Sequence, residues 1–212
     1  MTTTEIAVPP KRAGRPYATA GALVGGLAFG VLTNLAQGWL PGSWNQIPNS
    51  GAVWSVAAFV AGALLAGRVP RVGLAVAGLA AELALVVGYY GYAEFGRDGM
   101  GALYWPLVWV AMACVAGPVF GIAGGWWRQG GTTRQRVLGL AALAGVFGME
   151  GIHYAWSLHY MTQASVCLAV LVLVPLLMAR SHRERALTLL TALSFSLLAY
   201  VLVMGSLGSL GG

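Results

Sequence analysis

Seven long apolar runs, separated by short stretches that carry nearly all the charge, organise this chain. They cover residues 17–37, 51–67, 72–92, 101–127, 137–157, 163–179 and 186–205. About 20 apolar residues in a helix cross the roughly 30 Å hydrocarbon core of a bilayer. The pattern therefore predicts an all-α polytopic membrane protein, a seven-helix transmembrane bundle over residues 17–206. A polar tail at 1–16 and a short tail at 207–212 flank it. The first run has no cleavage site after it and reads as a retained helix, with no signal peptide.

The charges give the bundle a direction. Lys11, Arg12, Arg15, Arg68, Arg71, Arg128, Arg134, Arg136, Arg180, Arg183 and Arg185 all fall at one end of the predicted helices, and Arg97 alone falls at the other. Positive charge stays on the cytoplasmic side, so the expected location is a bacterial cytoplasmic membrane, with the N-terminus inside and the C-terminus outside. Composition agrees: 8% of residues are charged, far below the roughly 25% of a soluble domain. The net charge of +6 is a topology signal and a contact with anionic lipid, so no nucleic-acid partner is expected. The glycines are read as small residues that let membrane helices approach closely; Gly26, Gly30 and Asn34 form one such stripe on the first helix. Cys114 and Cys167 lie in apolar runs and read as buried thiols.

Against this background Glu150 stands out, a carboxyl inside the apolar fifth run. An ionised acid at that depth costs about 2 to 4 kcal/mol unless it faces protein. Helical spacing places Glu150, His153, Tyr154 and Ser157 on one face, so a functional pocket is expected there. Glu82, in the middle of the third run, is read either as a second functional acid or as a carboxyl that staples neighbouring helices. Aromatics and amides crowd the outer half and its loops, among them Asn34, Trp54, Tyr89, Trp105, Trp109 and Trp156. An interfacial aromatic belt occurs at both faces of a membrane, whereas this distribution is lopsided, so an aromatic-lined pocket in the outer half is the preferred reading. The segment 38–50, uncharged and rich in Trp, Pro and amides, is expected to cap that pocket or to lie in the interface. The spacing of Glu150, His153 and His159 fits no metal motif, and neither a metal nor another cofactor is expected.

The segments Asn34-Leu-Ala-Gln-Gly-Trp-Leu-Pro-Gly42, Asn49-Ser-Gly-Ala-Val-Trp54, Gly117-Pro-Val-Phe-Gly121 and Glu150-Gly-Ile-His-Tyr154 resemble a family of small actinobacterial integral membrane proteins of unknown function. In size, helix number and intramembrane acids the chain also resembles the membrane-integral terpene cyclases of the bacterial indole-sesquiterpene type. That second resemblance implies a metal-free, proton-initiated cyclase acting on a prenylated, lipid-soluble substrate. Such chemistry needs a carboxylic acid kept protonated by burial, aromatic faces for carbocations and exclusion of water. Glu150 is the expected acid, His153 and Tyr154 its orienting partners, Glu82 a second acid or terminal base. Asn34, Trp54, Tyr89, Trp105, Trp109 and Trp156 are the expected substrate-binding residues. The alternative is a binding or transport protein for a small metabolite or vitamin, which the outward pocket and its capping loop favour.

Overall fold

In a computed structural model the chain is a bundle of helices, described over residues 15–129 and 131–210. The helices are α1 (Arg15–Trp39), α2 (Gly51–Leu65), α3 (Arg71–Gly96), α4 (Tyr104–Gln129), α5 (Thr133–Ile152), α6 (Met161–Met178) and α7 (His182–Leu210), and there is no strand among the described residues. Most of the tail expected at 1–16, with Lys11 and Arg12, lies outside the described residues, as do Gly211 and Gly212. The all-α membrane architecture is as the apolar runs predict, with one refinement. Among the described residues six helices are long and apolar enough to cross a membrane by themselves, and α2 makes a seventh only together with the preceding segment Gly42–Asn49, from which it is bent by 41°.

Two ends can be told apart. One carries the α2–α3, α4–α5 and α6–α7 connections with the clustered arginines, and is called the arginine end. The other carries the α1–α2, α3–α4 and α5–α6 connections with Arg97 and most of the aromatics, and is called the aromatic end.

Glycine seams hold the helices together. A Cβ on Gly62 of α2 would fall 1.8 Å from the Gly121 carbonyl of α4, and one on Gly124 would fall 1.9 Å from the Phe59 carbonyl of α2. Gly78 and Gly117 join α3 to α4 in the same way, and Gly26 and Gly30 join α1 to α3. No other residue fits such approaches, and dispersion between backbones replaces the hydrophobic drive that lipid cannot supply. At the arginine end α5 begins with a capping box, Thr132 Oγ1 accepting from Gln135 N and Gln135 Oε1 accepting from Thr132 N, both at 3.2 Å. One turn on, Arg136 donates to both carboxylate oxygens of the buried Glu184, at 3.0 and 3.2 Å, and ties α5 to α7.

Candidate ligand cavity and the Glu150 site

The stripe that docks α1 on α3 ends in an amide, and there the helices part. Asn34, buried, donates from Nδ2 to the Tyr89 carbonyl at 3.0 Å, and its Oδ1 accepts from Arg97 Nη1 at 2.9 Å. Tyr89 donates its hydroxyl to Gln37 Oε1. α1 is thus anchored to the last turns of α3 through side chains, not through backbone contact. Beside this network lies a cavity of about 530 Å³, walled by Asn34, Asn49, Tyr89, Tyr90, Arg97, Asp98, Trp105 and Trp109 among others. Its size falls in the range of small-molecule sites, about 300–1,000 Å³.

Aromatic rings form the inner wall. Trp54 of α2 is 1% exposed, with ring centroids 4.4 Å from Trp109 and 5.1 Å from Tyr89. Its indole N–H donates to the Pro48 carbonyl at 3.0 Å, so α2 is fastened to the turn that precedes it. That turn belongs to the segment 38–50, which forms two short 3₁₀ turns at Gly42–Trp44 and Ile47–Asn49 and contributes Asn49 to the wall. Trp105 stands at the rim, 59% exposed.

Glu150 answers a different need. α2 has 15 residues, about 22 Å of helix, shorter than the hydrocarbon core. Its N-terminal N–H groups therefore lie where water cannot be relied on to pair them. Ser50 caps Val53 N at 3.1 Å, and Glu150 Oε1, from α5, accepts from Ala52 N at 2.9 Å, with the Ser50 hydroxyl and Gly51 N–H beside it. A carboxyl at a helix N-terminus is favoured by the partial positive charge of the exposed N–H groups. Glu150 Oε2 is buried without a partner. Gly51 links this carboxyl to the cavity, since a Cβ there would sit 3.4 Å from Glu150 Oε1 and 3.5 Å from the Trp109 ring.

Beyond Glu150 the helix widens into a π-turn, His153–Ser157, with Leu158 N bonding to the His153 carbonyl at 3.2 Å. The extra residue per turn breaks the expected shared face. Tyr154 turns into the core and stacks on Tyr160, Ser157 bonds the Tyr200 hydroxyl of α7 at 3.1 Å, and Trp156 is 79% exposed. His153 stays near Tyr154 (ring centroids 6.2 Å apart), with Nδ1 buried and unpartnered.

The predicted residues therefore fall into groups. Asn34, Tyr89, Trp105 and Trp109 line one cavity, and Trp54 backs it. Glu150, His153 and Tyr154 sit together next to α2 but do not line it, while Trp156 lies apart on the surface. Glu82, 3% exposed with Oε1 unpartnered, is buried on α3 and is not among the residues that wall the cavity. Of the two cysteines, Cys167 is buried as expected but Cys114 is exposed, because the α4 face that carries it has no helix packed over it. Arg97, Asp98, Asn49 and Tyr90 are among the wall residues that the sequence pattern did not assign to the site. The isolation of Arg97, the one basic residue at its end, was the signal that could have found it. Among the described residues no three His, Cys, Asp or Glu side chains are grouped to hold a metal.

Membrane-length helices packed around an amide- and aromatic-lined cavity define a polytopic α-helical membrane protein. Within that class the chain belongs to the DUF6518 family of unknown function, whose family model matches residues 9–209. No curated protein and no solved structure matches it.

Proposed function

We propose that this protein is a membrane-embedded binding or transport protein for a compact metabolite bearing a planar ring and an anionic group. The observation that carries the reading is the composition of the cavity wall: a guanidinium held by a buried amide, in one wall with tyrosine and tryptophan rings and the Asp98 side chain. Arg97 Nη1 donates to Asn34 Oδ1 at 2.9 Å and to the Asn34 carbonyl at 3.4 Å, which fixes the guanidinium and leaves its other nitrogens for a carboxylate. The indoles and phenols supply flat apolar faces for a ring. In a bacterial cytoplasmic membrane the partition of the arginines supports an arrangement with the cavity open to the outside. A panel of aromatic and heterocyclic carboxylates, screened by tryptophan fluorescence on the purified full-length chain, tests the proposal. A binder is expected whose affinity falls about tenfold in Arg97→Gln and which binds normally to Glu150→Gln. If no carboxylate binds, or if Arg97→Gln binds as well as the wild type, the reading fails.

A second reading, the acid-initiated terpene cyclase, has one observation in its favour: Glu150 Oε2 and His153 Nδ1 are both buried and uncommitted. In that reaction the Glu150 carboxyl gives its proton to an alkene carbon, the carbocation is passed along the prenyl chain, and a base removes a proton at the end. Incubation with a prenylated indole or a farnesyl-type substrate should then give cyclised product in the wild type and none in Glu150→Gln. Full turnover by Glu150→Gln would remove Glu150 from the role of acid, and no product from the wild type would remove the cyclase.

A further inference from the structure

The end opposite the cavity carries a second hollow that the proposed function does not use. Because α1 docks on α3 through Gly26 and Gly30, its inner half stands away from α2, and a groove of about 510 Å³ runs between them. Its wall is apolar from Phe29 through Val60 and Leu64, until Arg68 closes it at the arginine end. Two glycines of α1, Gly21 and Gly25, line it as well, and they differ in kind from Gly26 and Gly30. A Cβ added to either would meet nothing within 4 Å. A glycine inside a helix costs about 1 kcal/mol relative to alanine. At Gly26 and Gly30 close packing offsets that cost, while at Gly21 and Gly25 nothing in the fold does. What these two glycines accomplish is to hollow the groove.

We propose that this groove is a binding site for one acyl chain of an anionic glycerophospholipid, with its phosphate on Arg68. The position selects the occupant. The groove lies along two membrane helices, so hydrocarbon and not water fills it. The exposed Arg68 places a positive charge at the mouth, where a headgroup would sit, and the exposed Arg71 follows three residues on in the chain. Arg68 already donates to the Leu64 carbonyl at the end of α2, an arrangement that holds the guanidinium at the groove and leaves further donors for phosphate oxygens. The site is separate from the Asn34–Arg97 cavity and does not depend on what that cavity takes.

The test is retention of lipid by the delipidated full-length chain, titrated with phosphatidylglycerol or phosphatidylcholine of the same acyl composition and read by native mass spectrometry. One phosphatidylglycerol should be retained at about fivefold lower concentration than phosphatidylcholine. Arg68→Gln should abolish the difference between the two lipids. Gly25→Leu, which projects a side chain into open space, should lose the tightly held lipid while its thermal unfolding matches that of the wild type. Gly21→Leu makes the same test from the neighbouring turn should Gly25→Leu fail to fold. Equal retention of both lipids by the wild type, or undiminished retention by a folded groove-filling variant, would mean annular lipid only and overturn the site.

Discussion

The two ends of the bundle finish their helices in opposite ways. At the arginine end α5 starts in reach of water, and its first N–H groups are met locally by Thr132 and Gln135, three residues apart. At the aromatic end α2 starts inside the protein, and part of its N-terminus is met by Glu150, 98 residues away in sequence. The first solution is cheap and modular. The second places a carboxyl in an apolar setting and makes the start of α2 depend on α5. The difference shows why a costly acid can stand in a membrane helix without being a reactant: its oxygen replaces the water that a short helix cannot reach. The ends also differ in packing, since glycine seams close the bundle toward the arginine end while bulky rings and amides hold it open around the cavity.

The comparison breaks most severely at the seams. Gly62→Ala should force α2 from α4, since no flexible side chain can yield to a Cβ 1.8 Å from the Gly121 carbonyl. A loss of about 3 kcal/mol in detergent-driven unfolding is expected, and unchanged stability would mean that α2 and α4 do not pack as described. At Glu150 two substitutions separate capping from chemistry. Glu150→Ala leaves the Ala52 N–H buried without an acceptor and should cost about 2 kcal/mol, whereas Glu150→Gln keeps a carbonyl oxygen for it and should cost less than half as much. Equal losses in the two variants would show that the cap contributes little. The smallest effect belongs to the modular end: Thr132→Ala should lower stability by about 1 kcal/mol, measured in the same unfolding assay, and should leave ligand binding at the cavity unchanged. A change in binding there would show that the two ends are coupled.

Much of this was legible in the sequence. The positions of the helices follow from apolar length, because a bilayer imposes a thickness that any spanning helix must match. The stripe Gly26, Gly30 and Asn34 correctly marked the face by which α1 docks, since i, i+4, i+8 spacing fixes which residues share a side. The gathering of Asn34, Tyr89, Trp105 and Trp109 at one end was likewise readable from depth alone. What periodicity cannot supply is which helices are neighbours or where a helix loses its register. The π-turn at His153–Ser157 took Ser157 off the face that regular spacing assigns it, and no local pattern announces that extra residue. The pairing of Glu150 with the start of α2, the fixing of Arg97 by Asn34 and the separation of Glu150 from the cavity wall were decided only in the tertiary structure. Each joins groups far apart in the chain, and their energies depend on distances of a few ångströms that side-chain periodicity along one helix does not encode.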